Sequence, residues 1–536
     1  MAAMSISRRN FLAMGGFGAL AAATLTAPLS SISAQSAPVL DGSKLKPYLL
    51  AFTRPPFLAP YRTGINPLDG KPQNFYRITQ QAAVASLVPG LKTRILGYNG
   101  IFPGPTISIN QGTHAVVTMR NQLPQSHPDF GTPLATSTHL HGSASLPQYD
   151  GYASDTTLPG FRKDYLYPNF QPARTLWYHD HGVHYTAQNA YSGLVAMYQI
   201  HDPVERALLP QGEFDVPLMV SDIQLRADGN PYYDDRGHSG LWGDINLVNG
   251  VPWPVMKVKR RIYRFRVLVC GISRAFKFRL STGEPLTVVA TDGGLTPRAI
   301  PVGQYRHANS ERYEVLIDFS RYRAGQRVEL QNLPLDNNTE YGNTRRVMAF
   351  DVTDDAFDRN DPTALRLPTV LANSEPMTLT RAMAKTTRRL RVERQNGEWK
   401  INGKSWADVI ASNFQWAVAN PGVNDVEIWE IENKSGGWFH PLHIHLVDFH
   451  IISRNGQRAF SYEEGPKDVM YVGENETVQA IMRFTPHKGR YMVHCHNLPH
   501  EDHDMMLQFR VGLKEGEADP NDPITSARPV WDAPAA

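Results

Sequence analysis

At 536 residues the chain is too long for one core and is expected to divide into two to four domains. Charged residues make up 20% and the formal net charge is only +3, which argues against a disordered chain and against nucleic acid as a partner. Two cysteines, Cys270 and Cys495, allow at most one disulfide, and none if Cys495 is a metal ligand.

Near the start, Ser7-Arg8-Arg9-Asn10-Phe11-Leu12 is followed by an apolar run over residues 13–27 and by small residues over 31–37. This is the layout of a twin-arginine (Tat) signal peptide. The run falls short of the ~20 residues a spanning helix needs. Residues 1–37 are therefore expected to be an export signal rather than an anchor. The mature protein is expected in the periplasm or secreted, without stable membrane association and as a monomer. The Tat export machinery is its expected protein partner.

Strand signals dominate the rest. Segments 106–110, 114–120, 263–270, 314–319, 427–432 and 477–484 alternate or run apolar over five to eight residues, with Gly, Pro and Asn between them. Forty prolines and forty-one glycines fit many turns, and long amphipathic helical patterns are scarce. The expected class is all-β, with several sandwiches or barrels in series. Composition shifts place units at 38–202, 203–353 and 379–513, a linker at 354–378 and a polar tail at 514–536. Cys270 ends an apolar run and reads as an inert core thiol.

Ten of the nineteen histidines fall in four windows: STHLHG (137–142), WYHDHG (177–182), HPLHIH (440–445) and HCHNLPH (494–500). On a strand, residues i and i+2 share a face, so each His-x-His presents two imidazoles to one site. One such pair is more often two satisfied histidines, but four pairs shared between the outer units are not. The middle unit has none, so its expected role is to space and pack the other two. One zinc would need three or four ligands, so this many donors suits a multinuclear centre plus a separate site. On a strand, Cys495 faces opposite to His494 and His496 and serves that second site. His440, His500 and Met505 complete it, because two His, one Cys and a weak axial Met form the blue-copper ligand set.

These four windows resemble the copper signatures of the multicopper oxidases. The resemblance, strongest over TLWYHDH (175–181), RRIYRFR (260–266), GGWFHPLHIHLVDF (436–449) and HCHNLPHEDHDMM (494–506), extends along most of the mature chain to the three-domain bilirubin oxidases and CotA-type laccases. It implies three consecutive cupredoxin-like Greek-key domains and four copper ions. His440, Cys495, His500 and Met505 would hold a type 1 copper. His139 and His443 would hold a type 2 copper. His141, His179, His181, His445, His494 and His496 would hold a type 3 pair. Asp150 and Glu501 match carboxylates that deliver protons to oxygen in the family. Asp150 also fits a plain turn in Tyr-Asp-Gly, and Glu501 a solvated charge. Trp438 matches a tryptophan beside the type 1 copper and fits a core position equally well. His184, His450 and His503 receive no metal role, and the sequons at Asn337, Asn433 and Asn475 no role at all.

The implied activity couples one-electron oxidation of a small reducing substrate (phenolic, aminophenolic or tetrapyrrole) to four-electron reduction of O2 to water. An alternative is a periplasmic metal-ion oxidase of the same fold, although the fifteen methionines form no cluster. A scaffold or copper store would not need the complete ligand set.

Overall fold

The computed structural model describes residues 37–514 and 516–532; all but the last residue of the expected export signal lie outside them. Each segment read as a strand falls within two residues of one: Ile107–Asn110, His114–Asn121, Ile262–Val269, Arg312–Asp318, Val426–Asn433 and Thr477–Arg483. None of the described helices is long and apolar enough to cross a membrane.

The strands form six sheets that pair across three cores. In the first pair, a six-stranded sheet built on Pro72–Ala85, His114–Asn121 and Phe161–Tyr167 faces a four-stranded one. The order in that smaller sheet is Ile107–Asn110, Val195–His201, Arg174–Asp180, Thr138–His141. Alternate residues of both sheets meet in the core, among them Ile78, Tyr98, Val117, Leu140, Leu176 and Tyr198. The middle pair has seven and five strands around Phe265, Phe278, Val315 and Phe350. In the third, a five-stranded sheet faces Val469–Val472, His440–Ile444, Gly489–Cys495 and Met506–Val511. Its core includes Trp429, Leu442, Phe484 and Phe509.

One topological device recurs. In each unit an early strand pairs in parallel with a later one, Pro72–Ala85 with His114–Asn121, Asp215–Ile223 with Ile262–Val269, and Thr386–Gln395 with Val426–Asn433. Parallel neighbours need a crossover connection, which in the first two units passes through a strand of the facing sheet and in the third carries Glu398–Ile401 and the helix Trp406–Ala411.

Two stretches read as linker and tail are packed down. Ile262 N–H donates to the Ala364 carbonyl at 2.8 Å, Arg298 bridges Val370, and Leu371 is buried with Leu209 and Leu316. Val530–Trp531 adds a strand to Phe161–Tyr167, with the Trp531 ring edge-on to Phe161 at 5.2 Å. Two residues are too few to show an alternating pattern, so this strand leaves no periodic signal.

The first and middle units share buried charge. Arg264 and Arg266, two apart on Ile262–Val269, face Glu314 on the neighbouring strand. Arg266 Nη1 lies 3.0 Å from Glu314 Oε1, and Arg266 Nη2 lies 2.8 Å from Asp215 Oδ2. Thr175, on the strand that carries His179, donates to the same Glu314 oxygen at 2.7 Å. Removing one member of such a network leaves its partners buried without compensation. Arg266→Met is expected to cost about 3–5 kcal/mol of stability, seen as a lower melting temperature in scanning calorimetry. An unchanged melting temperature would contradict the role given to this cluster.

Candidate metal centres

The eight paired histidines lie on the two four-stranded sheets or, for His181, His445 and His496, one residue past their strands. His139 sits opposite His179 on antiparallel neighbours in the first unit, and His443 opposite His494 in the third. The two sheets bring their imidazoles face to face. His141 stacks on His443 with centroids 3.7 Å apart, His139 lies 4.1 Å from His445, and His181 Nε2 is 3.2 Å from His494 Nε2. All eight are buried. Their ring nitrogens gather into three groups, His139–His141–His443, His141–His179–His496 and His181–His445–His494, each with its donor atoms within 4.8 Å of one another.

Hydrogen bonds fix which nitrogen faces inward. Nδ1–H donates to the Asp150 carbonyl in His139, to the Asp180 carbonyl in His179 (2.7 Å) and to the Asp468 carbonyl in His443 (2.8 Å). The Nε2 atoms of these three rings are buried with no hydrogen-bond partner. His141 is turned the other way: Nε2 bonds to Asp468 Oδ1 at 3.1 Å and Nδ1 is left without a partner. Burial pushes the His139, His141, His443, His445 and His496 pKa values well below the usual imidazole value, and those of His179 and His181 to about 3 and about 4. Neutral imidazoles with bare, converging, buried nitrogens are costly unless a cation satisfies them.

Cys495 opens a second group. It pairs with Leu442, so its side chain lies on the face that also carries His440, while His443 and His494 occupy the other. Its Sγ is 3.2 Å from His440 Nδ1 and 3.6 Å from His500 Nδ1, and the two nitrogens are 3.3 Å apart. The opposite ring nitrogens are held by Ser435 Oγ (2.9 Å) and the Ser239 carbonyl (3.1 Å). Burial raises the thiol pKa, so a nearby cation is needed to stabilise its thiolate. Met505 is buried beside this group; its N–H donates to the His500 carbonyl and its carbonyl accepts from the Cys495 N–H. Trp438 lies 5.9 Å from the His500 ring, edge-on. The donor set of two imidazoles, a thiolate and a thioether suits copper, as do the imidazole groups beside it.

The two acids back the His181–His445–His494 group from opposite sides. Asp150 follows the short turn at Pro147–Tyr149, as its Tyr-Asp-Gly context suggests, yet its carboxylate accepts from His445 Nδ1–H at 2.7 Å. Gly151 permits this at φ +79°, because a Cβ there would meet the Thr138 carbonyl at 2.5 Å. Burial pushes the Asp150 carboxyl well above its ordinary range. Glu501 is buried rather than solvated, 3.0 Å from His494 Nδ1 and 3.5 Å from His181 Nδ1. Burial opposes its ionisation, but His181 and His494 outweigh that and hold it at about 2.

A family model for multicopper oxidases matches residues 380–515, and a second of the same description matches 80–205. A bilirubin oxidase from Albifimbria verrucaria is 39% identical over 526 residues, covering 92% of this chain and 88% of that protein. A laccase from Bacillus subtilis is 31% identical over 501 residues, covering 83% and 95%. A solved multi-copper oxidase from Pediococcus acidilactici matches with a TM-score of 0.75 at 28% identity, covering 89% of this chain and 95% of that one. The sandwiches share the cupredoxin-like architecture of such neighbours.

Several supporting residues escape a reading of the sequence. Trp399 stacks on His500 at 3.9 Å, forty-one positions from the nearest residue of the group. Asp468 holds His141 through its carboxylate and His443 through its carbonyl, and is itself gripped by Arg312 of the middle unit at 2.7 Å. The middle unit thus supplies supporting contacts as well as spacing. Loss of such a partner typically weakens metal binding about 10- to 100-fold. Asp468→Asn is expected to lose copper to a competing chelator with a drop of that order, read by metal analysis after dialysis. Retention equal to the parent would show that Asp468 is dispensable.

Proposed function

The chain belongs to the multicopper oxidase family and is an oxidoreductase of the laccase and bilirubin oxidase kind, and on that premise we propose which residues carry its reaction. Four coppers are assigned: one at His440, Cys495, His500 and Met505, one at His139 and His443, and a pair at His141, His179, His496 and His181, His445, His494. The observation that carries this is the pattern of bare inward nitrogens beside the Sγ–Nδ1–Nδ1 triangle. Bound copper would supply one-electron redox chemistry, accepting electrons singly beside Cys495 and delivering four to dioxygen at the histidine cluster.

The protein's own part is positioning, insulation and proton supply. Cys495 and its neighbours His494 and His496 link the two centres through single peptide steps. Trp399 and Trp438 shield the His500 ring. Asp150 and Glu501 aim the His445, His494 and His181 rings; Asp150, with its raised pKa, holds a proton beside the cluster and the ionised Glu501 relays protons toward it, where O2 + 4 e⁻ + 4 H⁺ gives 2 H2O. The reducing substrate is a phenol, aminophenol or tetrapyrrole. The twin-arginine stretch supports export by the Tat route to the periplasm or beyond, and the processed enzyme acts as a monomer.

The purified holoprotein is expected to be blue, and Cys495→Ser to lose both colour and turnover. A colourless holoprotein, or a Cys495→Ser variant with full activity, would refute the assignment. Asp150→Asn is expected to leave reduction of the blue site by a phenol intact under anaerobic conditions. Its reoxidation by O2 should slow about 100-fold, the size of a lost general acid. Equal slowing of both half-reactions in stopped flow would instead mark Asp150 as merely structural.

A further inference from the structure

The outer face of the first unit's six-stranded sheet carries a groove of about 430 Å³, and none of its lining residues belongs to the copper centres or to their supporting groups. Alternation along three neighbouring strands builds it. Arg77, Arg120 and Arg162 stand an odd number of positions from Ile78, Val117 and Tyr165, which fill the core, so all three point outward. Arg62, on the edge strand Arg62–Ile65, lies opposite Phe75. Arg120 and Arg162 are directly opposite each other, an arrangement of like charges that destabilises a sheet. Asp532 offsets it, with Oδ2 2.6 Å from Arg120 Nε and Oδ1 3.8 Å from Arg162 Nε.

The other two arginines have no such counter-charge. The Arg62 guanidinium sits 3.7 Å above the Phe75 ring centre, and that of Arg77 4.9 Å above Tyr61. Among the described residues neither has a carboxylate at ion-pair distance or a side-chain hydrogen bond. We propose that the groove binds a small ligand with a flat apolar body and two carboxylates, an aromatic dicarboxylate. A guanidinium held against a ring loses little freedom on binding and keeps its N–H edge for a carboxylate, which it grips bidentately. One carboxylate meets Arg62 and Arg77. The other meets Arg162, whose ion pairs at 3.7 and 3.8 Å are too long to use its N–H donors. Tyr61, Phe75 and Val116 supply the apolar wall between the charges. The volume falls in the range of roughly 300–1,000 Å³ usual for small-molecule sites. A long polyanion is disfavoured, because Asp164 and Asp532 interrupt the positive patch and the chain's formal net charge is only +3. Such a site holds an aromatic acid on the first unit, whereas the Cys495 group lies on the third.

The test is calorimetric titration of the copper-loaded enzyme at low ionic strength with naphthalene-2,6-dicarboxylate, which carries no phenol group to oxidise. The parent is expected to bind one equivalent saturably. Arg62→Gln and Arg77→Gln are each expected to weaken binding at least ~10-fold, the size of a lost charge-assisted hydrogen bond. Oxidation of 2,6-dimethoxyphenol by both variants should match the parent, which shows that they are folded. Pyrophosphate, with charges but no apolar body, is expected to bind at least ~10-fold more weakly than the dicarboxylate. No saturable binding by the parent, binding by both variants equal to the parent's, or pyrophosphate bound as tightly as the dicarboxylate would each overturn the proposal.

Discussion

Everything at the heart of this molecule hangs on side-chain alternation along one strand, Gly489–Cys495, and on its register with His440–Ile444. With His443 opposite His494 and Leu442 opposite Cys495, consecutive residues serve two different sites. A slip of one residue would exchange the faces and dissolve both. The register is held by the strand's other edge, where six pairs join it to Met506–Val511, and by the hydrophobic core on the face it shares with Leu442, Val493 and Phe509. Packing energy spent on the core of the third sandwich is thus also what separates a sulfur-containing site from an all-imidazole one across a single peptide bond.

The second constraint is burial without charge. Eight imidazoles meet where two sheets face each other, and all but His496 are oriented by a hydrogen bond on one ring nitrogen or by a carboxylate behind it. Neutral rings can crowd to centroid distances of 4 Å or less, where protonated ones would repel strongly. The supporting groups come from all three sandwiches: Asp150 and Asp180 from the first, Arg312 from the middle, Asp468 and Glu501 from the third. The site is therefore a property of the assembled chain. The buried Arg264–Arg266–Glu314 network, which ties the His179 strand to the middle unit through Thr175, belongs to the same architecture.

What could be read in the sequence is what repeats at short range. His-x-His at strand spacing, a cysteine between two of them, and apolar alternation are all local patterns, and they pointed to an all-β chain with two kinds of metal site. The contacts that support those ligands are non-local and chemically anonymous. Asp468 directly precedes an ordinary apolar strand, Val469–Val472, and Trp399 looks like any core aromatic until it lands on His500. His503 shows the same limit. Its window already holds a full ligand set without it, and only the fold reveals its stacking partner, 265 positions away in another sandwich. The packed course of residues 354–378 and the pairing of Val530–Trp531 were hidden for the opposite reason, since polar, proline-containing stretches resemble solvent-exposed connections whether or not a partner strand awaits them.

The central claim is that one copper site lies on each face of the strand ending at Cys495, and anomalous diffraction from crystals of the copper-loaded protein at the copper edge tests it most directly. The account predicts four peaks, one within the triangle of Cys495 Sγ, His440 Nδ1 and His500 Nδ1, and three among the eight paired histidines. No peak at Cys495, or a single peak among the histidines, would contradict it.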